Sequence, residues 1–93
     1  MRPSKIRIIA LGYKTLLDDM RITAKEYPND RTLSGNGVEA LQHCRHVVDE
    51  ILVCVDAGYL GKAYRMLGFV QGVLWAQSII DLNDIRHTNR SRR

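Results

Sequence analysis

The sequence predicts an all-α fold. Three main helices are expected over residues 4–26, 37–56 and 59–80, with a short fourth near 82–88, packed as an antiparallel bundle. Three observations predict it. Apolar residues recur at spacings of three and four along most of the chain, which is the helical period. Turn formers concentrate in PNDRTLSGNG (28–37) and around Gly58. One stretch, Leu60–Ile80, is apolar nearly all round and therefore needs neighbours on several sides.

The first helix follows from Ile6, Ile9, Tyr13, Leu16 and Met20, widened by Ala10, Leu17 and Ala24. Pro3 suits a first helical turn. A strand over Lys5–Leu11 competes, because KIRIIAL is rich in isoleucine and partly alternates, but the helical period continues to Met20. Tyr27–Pro28 ends the helix, since a residue before proline avoids the α region. In the second helix Asn36 is the expected N-cap, with Glu39 three residues on completing a capping box. Leu41, Val48, Leu52 and Val55 form one stripe there, and Ala40, Cys44, Val47 and Ile51 the next. Gly58 supplies a stop, and the short break before Leu60 implies a helical hairpin.

The third helix carries Ala63, Leu67, Val70 and Leu74 on one stripe and Met66, Phe69, Val73 and Ile80 on another, with Leu60, Tyr64 and Trp75 extending the first. Phe69 and Trp75 are assigned to the core. Gly61, Gly68 and Gly72 share the remaining face, where another backbone is expected to approach, in a groove of the monomer or, together with Trp75, at a subunit interface. Gln71 and Gln77 interrupt the stretch, and its continuous apolar part is too short for a membrane span. Asp81 followed by Asp84 reads as an N-cap with a first-turn acid. Leu82 and Ile85 pin the last helix, and a basic tail follows over about 88–93.

The 93 residues are expected to form one domain with a modest core, which association with a partner would help to stabilise. The 45% apolar content is too high for general disorder. The formal charge is +4, with much of the excess in Arg90, Arg92 and Arg93, so composition alone does not point to nucleic acid. Lys5, Arg7 and Lys14 run through the early apolar segment, so no secretory leader is expected there. Cys44 and Cys54 lie roughly 15 Å apart along one helix, too far to bond. Two unpaired thiols suit a reducing compartment. A cytoplasmic location, without membrane attachment, is the expectation.

Chemistry is sparse. His43 and His46 share an arc of the second helix with Glu39 and Glu50, but the two glutamates are roughly 16 Å apart along the axis. They read as two i,i+4 pairs, Glu39 with His43 and His46 with Glu50, rather than as a metal site. Cys44 points away from both imidazoles, which removes a Cys–His pair. The serines Ser4, Ser34, Ser78 and Ser91 lie in no nucleophile elbow. No catalytic residue, metal or cofactor is assigned. Arg7, Lys14, Arg21 and Lys25 project within a narrow arc of the first helix and form the candidate contact face for a phosphate-bearing or acidic partner.

The segment GKAYRMLGFVQGVLWAQSIIDLNDIRHTNR resembles a C-terminal signature of small early-region accessory proteins of bacteriophages and prophages. The resembling residues are Arg65, Gly68, Phe69, Gln71, Gly72, Leu74, Trp75, Ala76, Asp81, Ile85, Arg86 and Asn89, within the last third of the chain. The resemblance implies a context in which such proteins act by binding a host protein, a defence or nucleic-acid enzyme among them. The expected function is therefore a non-enzymatic, homo-oligomeric protein that binds and modulates or inhibits a host protein through Arg7, Lys14, Arg21 and Lys25. An alternative is a nucleic-acid-binding regulator using the same stripe with Arg86, Arg90, Arg92 and Arg93. A third is sequestration of a small phosphorylated ligand between subunits, with Arg65 beside the glycine face.

Overall fold

The computed structural model describes residues 1–33 and 35–90. The fold is all-α: α1 (Pro3–Asp19), α2 (Val38–Asp56), α3 (Leu60–Ala76) and α4 (Leu82–Asn89). Packing is dominated by α2, which lies along both α1 and α3, whereas α1 and α3 meet over a shorter length. Arg7 near the start of α1 pairs with Asp56 at the end of α2, and Asp18 near the end of α1 pairs with Arg45 in α2. These two pairs set α1 and α2 antiparallel. The core is built from Ile6, Ile9, Ala10, Tyr13 and Leu17 of α1, Leu41, Cys44, Val47, Val48, Ile51, Cys54 and Val55 of α2, and Ala63, Leu67, Val70 and Leu74 of α3.

Two helices end earlier than their periodicity suggests. α1 stops at Asp19, not near Glu26, and α3 stops at Ala76, not at Ile80. Arg21 takes a left-handed conformation (φ 60°), its N–H reaches the Asp18 carbonyl at 2.9 Å, and the Ile22 N–H reaches the Leu17 carbonyl at 2.9 Å. The same pair of bonds recurs at Ser78 (φ 62°), from Ser78 to Trp75 and from Ile79 to Leu74. It recurs again at Gly58 (φ 82°), from Gly58 to Val55 and from Tyr59 to Cys54. All three are Schellman stops, in which a left-handed residue turns the chain and the next one folds back on the last turn. After α1 and α3 that next residue is an isoleucine, Ile22 or Ile79, packed against the core. Burying it rewards the turn where continuing the helix would expose it.

After the first stop the chain does not form a free loop. Residues 22–28 have no regular secondary structure and lie against α2. The Lys25 N–H donates to the Gln42 carbonyl at 3.1 Å, the Tyr27 N–H to His43 Nδ1 at 3.2 Å, and the Tyr27 hydroxyl to Gln42 Oε1 at 2.9 Å. Tyr27 is buried, and it fastens this strap. The cap of α2 is Gly37 (φ 80°), one residue later than Asn36, whose Oδ1 accepts from the Val38 N–H at 3.1 Å. The short α4 starts as expected: the Asp84 N–H donates to Asp81 Oδ1 at 2.8 Å, and the Asp81 N–H to Asp84 Oδ2 at 2.9 Å.

α4 buries none of its own side chains fully. A polar junction holds it instead. Gln71, buried on α3, donates from Nε2 to the Tyr13 hydroxyl at 3.1 Å and to Asn89 Oδ1 at 2.8 Å. Asn89 Nδ2 returns a bond to Gln71 Oε1 at 3.0 Å. Lys5 Nζ donates to the Arg90 carbonyl at 2.6 Å. α4 is thereby tied to both α1 and α3.

Candidate interaction surfaces

The four-cation stripe does not survive folding. α1 ends before Arg21 and Lys25, so the helical arc that grouped them with Arg7 and Lys14 does not exist. Arg21 occupies the left-handed stop, and Lys25 lies in the strap with its ammonium 5.2 Å from the Tyr27 ring centre. Arg7 pairs with Asp56 of α2. Lys14 is half-buried on the same flank of α1 as Arg7 and Asp18, at the seam with α2. Acids crowd that seam. Arg45 donates from Nε to Asp18 at 2.7 Å and from Nη1 to Asp49 at 2.8 Å, and these carboxylates push its pKa up further, the Asp18 bond most.

The outward face of α1 is apolar instead. Ile8 is 69% exposed and Leu11 44%. A groove of about 680 Å³ runs beside them, lined by Lys5, Ile8, Ile9, Gly12, Tyr13 and Leu16 of α1 and by Thr88 of α4. No atom lies within 4 Å of where a Cβ on Gly12 would stand, so the groove floor is open to close approach. Arg7, Lys14 and Asp18 occupy one flank of this helix, and the groove lies on the other. Its signal in the sequence is that Ile8 and Leu11 fall outside the stripe formed by Ile6, Ile9, Tyr13 and Leu16.

The glycine face of α3 is a second open surface. Gly61, Gly68 and Gly72 are all exposed. A Cβ at Gly68 or Gly72 would meet nothing within 4 Å, and at Gly61 only the Arg65 guanidinium at 3.6 Å. Among the described residues, no other segment of the monomer closes on Gly68 or Gly72. Phe69 and Trp75 are not core residues either: they are 50% and 51% exposed, beside Tyr64 at 50%. The core takes Ala63, Leu67, Val70, Gln71 and Leu74, which leaves Tyr64 and Trp75 off the buried face and Phe69 at its margin beside α2. Phe69 sets its ring edge against His43 at 6.1 Å.

At the C-terminal end Arg86 is exposed on α4 and Arg90 caps it, while Arg92 and Arg93 lie outside the described residues. Arg65 stands exposed on the outer face of α3. Lys62 and Arg65 join Gly58–Gly61 around an open hollow at the start of that helix.

His43 and His46 are absorbed by local pairing. His46 Nε2 lies 3.0 Å from Glu50 and 3.6 Å from Glu26 of the strap, while His43 accepts the Tyr27 N–H. Glu39 pairs with Arg31 at 3.2 Å, a partner different from the expected His43. Among the described residues no three His, Cys, Asp or Glu side chains form a set that fits a metal ion. Cys44 and Cys54 are free and buried, and burial pushes the Cys44 thiol up to about 12, which keeps it protonated and a poor nucleophile. Burial also raises the Tyr13 hydroxyl; the Gln71 bond opposes that and Asp84 adds to it. Among the described residues no helix is long and apolar enough to cross a membrane.

No protein-family model matches the sequence, and comparison with curated proteins and with solved structures finds no match. The functional reading therefore rests on the surfaces themselves.

Proposed function

We propose that this chain is a non-catalytic interaction protein that binds and modulates a protein of a host cell, in the phage-type setting that its C-terminal third resembles. The observation that carries the reading is the outer face of α1, where Ile8 and Leu11 stand exposed beside an open groove. An apolar face of this kind suits a partner helix with hydrophobic anchors spaced by three and four. Lys5 at the groove favours an acidic residue at the margin of such a helix. The contact face thus moves from the expected basic stripe to the opposite, apolar flank of α1, with Lys5 as the cation at the groove.

The test is affinity capture from bacterial lysate with the tagged full chain, before and after nuclease treatment, comparing the wild type with an Ile8→Glu/Leu11→Glu variant. One protein held in near-stoichiometric amount after nuclease is expected, with the variant weakening its affinity about ten- to hundredfold. Both side chains are exposed, so the variant keeps its fold, which circular dichroism checks. Loss of every captured protein on nuclease treatment would overturn this reading in favour of nucleic-acid binding through Arg86 and Arg90. Capture insensitive to the double substitution would remove α1 as the contact.

A further inference from the structure

The open face of α3 is independent of the α1 groove, and its pattern fits another copy of the same helix. Gly61, Tyr64, Gly68, Gly72, Trp75 and Ala76 are all exposed along it. Glycine is a costly residue in a helix interior. Nothing in the monomer makes use of the space at Gly68 and Gly72, because no atom lies within 4 Å of either absent Cβ. Exposed aromatics beside such a bare backbone supply contact area for a close helix-to-helix approach.

We infer that the protein pairs with a second copy of itself through α3, the two helices running antiparallel about a twofold axis at Val70. Symmetry about that point sets Gly68 across from the partner's Gly72, so bare backbone meets bare backbone. It sets Tyr64 across from the partner's Ala76, a large side chain against a small one. It sets Arg65 across from the partner's Trp75, where a guanidinium meets an aromatic ring. A twofold contact uses one patch on both copies, so the patch has to complement itself, and this one does.

Charge selects the orientation. α3 begins with Lys62 and Arg65 and has no acid in its first turn, whereas Asp81 and Asp84 stand just beyond its end. Antiparallel pairing brings the basic end of each copy to the acidic end of the other, and parallel pairing would bring like charges together. The helix dipoles favour the same arrangement. The 17 residues of α3 are about 25 Å long. A contact of that length lies at the small end of stable interfaces, so the pair forms reversibly, with a dissociation constant of about micromolar order.

Sedimentation velocity of the full chain over a concentration series tests the pairing. The wild type is expected to pass from monomer to dimer, and a Gly68→Leu/Gly72→Leu variant to remain monomeric. A separate Gly68→Ala variant, measured at a concentration where the wild type is monomeric, is expected to melt about 4–8 °C higher, because the added methyl improves helix propensity and meets no neighbour. That rise establishes that substitution on this face spares the fold. Orientation is read by mixing Gly68→Cys and Gly72→Cys chains under mild oxidation. The antiparallel pair predicts the mixed disulfide, since Cys44 and Cys54 are buried. A wild type that stays monomeric at millimolar concentration, a double-leucine variant that still dimerises, or cross-links only between like chains would each overturn the proposal. None of these results depends on whether α1 captures a partner.

Discussion

Gln71 shows how much one polar side chain can hold in a small bundle. It is buried on α3, and it bonds Tyr13 of α1 and Asn89 of α4. Its loss removes the bond that the Tyr13 hydroxyl accepts and both bonds to the Asn89 amide. Replacing Gln71 by Leu keeps the volume but strands both groups, at a cost of about 1–3 kcal/mol. Asn89→Ala should cost less, because Gln71 then keeps Tyr13. Urea denaturation measures the difference. Hydrogen exchange should show residues 82–89 losing protection before the rest of the chain does. Equal destabilisation by both substitutions, with no selective effect on α4, would show that the junction does not hold that helix. In the sequence Gln71 reads as an interruption of an apolar surface. Nothing in periodicity separates a buried anchor from a solvent-facing amide, since what matters is whether Tyr13 and Asn89, far away along the chain, arrive beside it.

At the scale of elements, the three stops explain which helix ends were legible. Gly58 is the residue that a left-handed stop favours, and the end of α2 was readable from it. Arg21 and Ser78 occupy the same conformation with side chains that give no such signal. The apolar period also runs on beyond them, through Ala24 and Ile80. Ile22 and Ile79 decide the outcome by packing back on the core, a tertiary effect invisible in a local pattern. The strap leaves no local signal for a related reason: in the sequence Tyr27 is only the residue before a proline, while its partners are Gln42 and His43 on α2. The left-handed positions yield a prediction. A non-glycine residue there costs about 1 kcal/mol, so Arg21→Gly and Ser78→Gly should each stabilise the fold by about that amount, a rise of about 4–8 °C in Tm. Arg21→Gly has the further merit of removing one of the cations first grouped in a stripe. A fall in Tm for either substitution would mean that the native side chain contributes more than its backbone strain costs.

For the whole molecule, the all-α class and the core stripes of α1 and α2 were legible because the residues each helix buries recur at the helical period. α3 is apolar nearly all round, so the sequence does not say which side faces inward, and both Phe69 and Trp75 fall on the outside. The candidate surfaces were hidden for the same reason: they are the apolar residues left over once α2 has taken its share of α1 and α3. The central place of α2 also makes the global stability sensitive to alkali. Cys44 sits at its middle with no exposed surface, and its thiol is raised from 9.0 to about 12 by burial. In the unfolded chain it ionises near 9, while the folded chain keeps it neutral. The unfolded state therefore binds fewer protons above pH 9, so stability is full below that pH and falls between about 9 and 12. The slope from this one group is at most about 1.4 kcal/mol per pH unit. Tyr13, also raised by burial, adds a loss of the same sign above 10. Urea midpoints at pH 7, 8.5 and 10 should be level between the first two and lower at the third. A Cys44→Ala chain should start from a lower midpoint, having lost a buried sulfur, and should decline less between pH 8.5 and 10. Parallel declines in the two chains would remove Cys44 as the cause and leave the alkaline loss to other groups.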